Sequence, residues 1–251
     1  RAHLENGNIP RAAEYLDGLI AENPAEEGLL FLRAGVHMVA GEPRRAETIY
    51  RTLMSQNPTA LRPVQALVSL LNSENRVDEA YSALEDGLAA TGNAPTLLAQ
   101  KAQMLETGRD FEGAIAIYEE LYALDSSNTV IANNLASLIS THRTDAESLE
   151  RAFVIARRLR QSDVPAFMDT YGWIEYRRGN YSEALKLLEP AAAALANDPL
   201  VQFHLGMTYV ALKQIEEART TLARALELAG DDPLPQFAEA RAALEALPET
   251  D

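Results

Sequence analysis

Cysteine is absent from the 251 residues. That excludes a disulfide framework, a cysteine nucleophile and a cysteine-ligated zinc site. Positive charge is scarce: 22 Lys and Arg face 37 Asp and Glu, for a net −15, and only Lys101, Lys186 and Lys213 are lysines. A nucleic-acid partner is excluded on this ground, because gripping phosphates takes clustered basic residues. Long apolar runs are missing too. The longest uncharged one, Pro190 to Ala196, falls far short of the roughly 18 to 20 residues that span a bilayer. Aromatics make up 6 % of the chain. What remains is an apolar fraction of 47 %, ample for a folded core.

That apolar content is periodic. GNIPRAAEYLDGLIAENP from Gly7 aligns with GEPRRAETIYRTLMSQNP from Gly41 at an offset of 34. Ala12 matches Ala46, Leu19 matches Leu53, and Asn23-Pro24 matches Asn57-Pro58. The alanine returns at Ala80 and Ala114, slips to Ala152, recovers at Ala184 and reaches Ala218. A fixed period of this size marks a stack of small supersecondary units. Within each unit an apolar stripe at helical spacing, such as Leu205, Tyr209 and Leu212, predicts a first helix. Small residues (Ala34, Ala102, Ala136, Gly172, Gly206) predict close approach of its partner. Glycine (Gly41, Gly108, Gly179) and an N-cap (Asn8, Asp110, Asn180) separate it from a second helix that ends at Asn-Pro or an equivalent. One such pair cannot bury its own apolar face, so stacking must supply the core.

The pattern resembles the tetratricopeptide repeat, a helix–turn–helix unit of the same length. The sixth unit supplies its signature residues Met168, Tyr171, Gly172, Gly179, Ala184, Leu188 and Ala191. The seventh supplies Leu205, Gly206, Tyr209, Ala218, Leu222 and Ala225. The resemblance implies an all-α, right-handed superhelical solenoid read as a single domain. Its units are 1–26 (partial), 27–60, 61–94, 95–128, 129–164, 165–198 and 199–232, closed by a capping helix at 233–248. Arg33 and Lys101 depart from the pattern at an apolar position; His3 and His37 share another and read as packing residues. Arg1 falls inside a first helix, so further repeats are expected upstream. The fifth unit carries extra residues within STHRTDAESLER. They predict a lengthened turn with an extended second helix, Thr144 and Glu147 forming a capping box, or a change of pitch that shapes a pocket.

No nucleotide, zinc-protease or calcium-loop motif is present, and the histidines are scattered. The expectation is a non-enzyme with no catalytic residues, no metal and no cofactor. Binding is then the remaining function. The resemblance implies that fixed positions of each first helix line a concave groove. Those positions are Asn133, Asn134, Ser137 and Ser140 in the fifth unit, and Asp169, Thr170, Trp173, Tyr176 and Arg177 in the sixth. The seventh contributes Phe203, His204 and Met207. Trp173, the only tryptophan, reads as an interface anchor or as packing against a neighbouring unit. Earlier units offer Phe31, Leu32 and Met38, then Gln65, Ser69, Gln100 and Gln103. An extended peptide or a helix is the expected partner. No three consecutive units supply the Lys and Asn set that clamps chaperone carboxylates. Residues 141–190 are charge-neutral, while the flanks carry −9 and −6.

The run Asp169-Thr170-Tyr171-Gly172-Trp173, with Tyr176-Arg177-Arg178-Gly179, is similar to a segment of bacterial envelope tetratricopeptide lipoproteins. Those proteins serve exopolysaccharide export and PEP-CTERM systems. This implies a periplasmic or outer-membrane-associated scaffold, the cytoplasm being the other reading. A protease or chaperone adaptor, or the docking arm of an upstream enzyme, are the rival functions. Oligomeric state stays open.

Overall fold

A computed structural model describes residues 9–248. Among them the regular elements are all helical, and the chain is an all-α repeat solenoid. Two compact units are distinguished, residues 1–110 and 111–251. The first holds α1 (Ile9–Glu22), α2 (Glu27–Val39), α3 (Pro43–Gln56), α4 (Leu61–Ser73), α5 (Val77–Thr91) and α6 (Pro95–Thr107). The second holds α7 (Phe111–Leu124), α8 (Thr129–His142), α9 (Ala146–Ala156), α10 (Pro165–Arg177) and α11 (Tyr181–Ala194). It continues with α12 (Pro199–Ala211), α13 (Ile215–Ala229) and α14 (Pro235–Ala246). His3 and Asn8 lie outside the described residues.

Within each unit consecutive helices pack on one another, and first helices also touch the next first helix, as α4 does α6 and α8 does α10. The small residues make this approach feasible. Ala34, Ala102 and Ala136 are fully buried. A Cβ at Gly206 would meet Leu222 Cδ2 at 2.6 Å, and one at Gly172 would meet Leu188 Cγ at 2.8 Å. Real Cβ atoms need more room than this. Apolar sequence periodicity thus becomes a row of close helix–helix contacts.

Most turns between paired helices hold one residue in the left-handed region. Gly41, Asn75, Arg109, Gly179 and Lys213 supply it, with φ between 60° and 83°. Gly108 does not: its φ is −77°, and Arg109 next to it takes the strained role. Asn180 is not a side-chain cap either; its Nδ2 donates to Glu175 Oε2 at 2.6 Å. Side-chain caps instead come from Asn128, Asp145 and Asp198.

The fifth unit corrects the expected turn. Asp145, not Thr144, caps α9, accepting from the Ser148 amide at 2.8 Å. The extra residues do not lengthen the turn. They extend α8 to His142 and start α9 earlier, while its far end tightens into a 3₁₀ turn at Arg157–Leu159. No left-handed residue closes this turn, since Arg143 is extended.

The charged departures from the repeat pattern pair with the preceding helix. Arg33 Nε lies 2.6 Å from Asp17, and Lys101 Nζ lies 2.6 Å from Glu85. Both pairs sit in the same register two repeats apart, so an apolar position has twice become a salt bridge. His37 is buried, its Nδ1 2.7 Å from Glu42 Oε2.

Candidate functional site

In the first unit the polar residues of α4 and α6 share one cleft. Helical spacing puts Gln65, Ser69 and Asn72 on one face and Gln100, Gln103 and Thr107 on another. Ser69, Asn72, Tyr81, Gln100, Gln103 and Thr107 help line a cleft of about 560 Å³. Gln100 Nε2 donates to the Gln65 carbonyl at 3.2 Å and to Ser69 Oγ at 3.3 Å. Its Oε1 is buried with no partner within the chain. Leaving such an acceptor unsatisfied costs about 1–3 kcal/mol. The cleft therefore offers amide donors and acceptors suited to an extended backbone.

The second unit turns the predicted contact surface into an interior. Asn133, Asp169, Thr170, Trp173, Phe203, His204 and Met207 are buried, while Asn134, Tyr176 and Arg177 are half-buried. Ser140 is buried and Ser137 half-buried. The indole of Trp173 lies between two stacked rings, Tyr176 at 4.6 Å and His204 at 4.2 Å. Phe203 meets it at a tilt, 5.5 Å away. Trp173 Nε1 donates to the Ser140 carbonyl at 3.3 Å. Of its two readings, packing against a neighbouring unit is the one observed.

Polar contacts knit the same wall. His204 Nδ1 is 2.9 Å from Asp169 Oδ1, joining consecutive first helices. Arg177 Nη1 donates to the Ser140 and Arg143 carbonyls, both at 2.6 Å. Those carbonyls belong to the C-terminal end of α8, where intrahelical partners run out and negative partial charge collects. Burial lowers the Arg177 pKa, opposed by Asp145 and Glu239. Burial, with a smaller push from Glu239, raises the Tyr176 hydroxyl to about 12. Asn134 Nδ2 donates to Tyr118 Oη at 3.1 Å, and Asn133 Nδ2 to Asn134 Oδ1 at 3.3 Å.

The closing element is α14. It packs on α12 and α13 as a cap should, and Ala240 joins Trp173, Phe203, Met207, Leu222 and Ala225 in one apolar cluster. It also reaches further back. Gln236 Nε2 donates to the Thr141 carbonyl of α8 at 3.1 Å. Glu239 acts electrostatically on Tyr176 and Arg177 of α10. Gln236 and Glu239 were not legible as site residues: a buried glutamine on a capping helix leaves no periodic signal.

On another face, the irregular fifth unit does border a cavity of about 580 Å³, lined by Phe153, Arg160, Tyr171, Glu175, Arg178 and Tyr181 among others. Arg178 stacks over Phe153 at 3.5 Å. Among the described residues no three His, Asp or Glu are grouped to hold a metal. No described helix is long and apolar enough to cross a membrane.

The model of the tetratricopeptide repeat matches residues 3–71 and 175–244, more than half of the chain. The chain belongs to the tetratricopeptide repeat family. The TPR repeat-containing protein PA4667 of Pseudomonas aeruginosa is 25 % identical over 136 residues, which cover 54 % of this chain and 23 % of that protein. The chain thus spans about a quarter of that curated relative. The crystal structure of the APC/C hetero-tetramer Cut9–Hcn1 superposes with a TM-score of 0.64 at 14 % identity, covering 98 % of this chain and 48 % of the other. A tetratricopeptide repeat protein of Parabacteroides merdae gives 0.62 at 13 % identity, covering 97 % and 94 %. Tetratricopeptide repeats mediate protein–protein interaction and scaffolding, generally without catalysis.

Proposed function

We propose that this tetratricopeptide repeat chain is a non-catalytic scaffold that holds a peptide or helix of a partner protein along its first helices. The amide-lined cleft of α4 and α6 carries this reading, because Gln100 keeps a buried carbonyl oxygen without a partner. Side-chain amides can match both the N–H and the C=O of an extended backbone, independent of its sequence. The setting we propose is the bacterial envelope, on the periplasmic side, among proteins that organise polysaccharide export. Its support is the resemblance of the Asp169–Gly179 segment together with a bacterial relative.

Panning a phage-displayed dodecapeptide library on the immobilised chain tests the binding role. Selected peptides should lose at least tenfold in affinity to Gln100→Ala or Gln103→Ala. Failure to enrich any peptide, or equal affinity for the variants, would remove the cleft as the site.

A further inference from the structure

The wall formed by α8, α10 and α12 is covered by α14, a segment of the same chain, and buried polar atoms there stay unpaired. Gln236, Phe237 and Ala240 are the buried residues of α14. In α12 the buried run is continuous from Val201 to Tyr209. Three buried polar atoms on or against the wall have no partner within the chain: His204 Nε2, Asn133 Oδ1 and Gln236 Oε1. Native interiors seldom leave such groups unpaired. A covering segment made only to complete the core would be expected to satisfy them.

α14 is joined to α13 through Gly230, whose φ is +56°, and a short connection to Leu234. Apart from Gln236, nothing on α14 donates a side-chain hydrogen bond to the wall among the bonds described. Its acidic Glu239 acts electrostatically on the cationic Arg177 of the wall, opposite in sign.

Resting on the scaffold reading above, we propose that this second wall is a helix-binding site held closed in cis by α14. Its partner is an amphipathic helix with the α14 pattern. That pattern is a side-chain amide, an aromatic one residue on, a carboxylate three on, a small residue four on and a leucine eight on. Gln236, Phe237, Glu239, Ala240 and Leu244 are its copy in this chain. The small residue is required where Ala240 meets Trp173, Phe203 and Met207. The carboxylate answers Arg177. Binding of the partner displaces α14, so the site opens only to a helix that outcompetes an intramolecular one.

The probe is a fluorescein-labelled peptide of residues 233–248, read by anisotropy on the full chain. Phe237→Ala loosens α14 in cis and should bind the probe at least tenfold more tightly than the native chain. A chain with Thr141→Cys and Gln236→Cys joined by a short bis-maleimide, with no native thiol to compete, should not bind it. A probe carrying Ala240→Arg should bind none of them. Trp173 emission should move red in Phe237→Ala and return when the probe is added. Should Phe237→Ala lose helicity, Glu239→Lys carries the same test, because Glu239 is exposed. Equal binding by native, loosened and cross-linked chains overturns the proposal, as does no binding by the loosened one. A Gln100→Ala effect on library peptides alongside absent probe binding would leave the scaffold reading intact and remove this one.

Discussion

Arg76 Nη1 lies 2.7 Å from Glu47 Oε2 and ties the second helix of one repeat to the turn of the next. Arg51 adds a 2.9 Å contact to the same carboxylate. The Arg76 hydrogen bond, helped by Arg51, outweighs desolvation and holds Glu47 at about 2. Because the folded pKa is depressed, this stabilisation is complete above the ordinary carboxylate value near 4.5. It is lost as pH falls from there toward 2. Urea denaturation followed by circular dichroism should show a steeper acid loss for the native chain than for Glu47→Gln. Arg76→Ala should cost about 2 kcal/mol at pH 7, since it removes hydrogen bonds to a charged carboxylate that keeps Arg51 as a partner.

Gly206 and Gly35 are both helical glycines with opposite surroundings. Gly206→Ala would drive its Cβ against Leu222 Cδ2 and Cγ, with the Leu222 backbone amide also close. It should destabilise by about 1–3 kcal/mol, as overpacking does. Gly35 has nothing within 4 Å of a Cβ, so Gly35→Ala should stabilise by about 0.5–1 kcal/mol through helix propensity. Thermal melts of the two variants should move in opposite directions.

Lys213 occupies the left-handed turn position that glycine holds at Gly41 and Gly179. Its backbone amide bonds the Val210 carbonyl and would do so in any residue. Lys213→Gly should gain about 1 kcal/mol by relieving the Cβ clash. No gain in denaturant midpoint would mean that the lysine side chain supplies a compensating contact.

Trp173 is 7 % exposed and stacked on both faces. Trp173→Ala should therefore cost about 3–5 kcal/mol of stability. The native emission should be blue-shifted and poorly quenched by acrylamide. Red, readily quenched emission would contradict the buried placement.

Much of the fold was legible because helical repeats are local. A 34-residue recurrence of Ala12, Ala46, Ala80 and Ala114 needs only short-range packing to become packed helix pairs. The turns were less legible. Their left-handed geometry is imposed by the hydrogen bonds that close them, so Asn75, Arg109 and Lys213 adopt it without the glycine that would announce it. The fifth unit misled for a related reason. Asp145 outcompeted Thr144 for the cap once α9 began a turn earlier.

The site divides along the same line. Gln65, Ser69, Gln100 and Gln103 were assigned to one surface by position, and two neighbouring helices suffice to bring them together. By itself the sequence determined the repeat, the helices, the small residues at their crossings and the acidic balance. Each depends on contacts within one unit or with the next. Only the tertiary structure decided that Trp173, His204 and Asp169 are interior. Trp173 shares its apolar cluster with α14, which also returns to α8, where Gln236 and Thr141 meet across an interval of 95 residues. No local pattern encodes such a return, because its two partners lie in helices separated by several others along the chain.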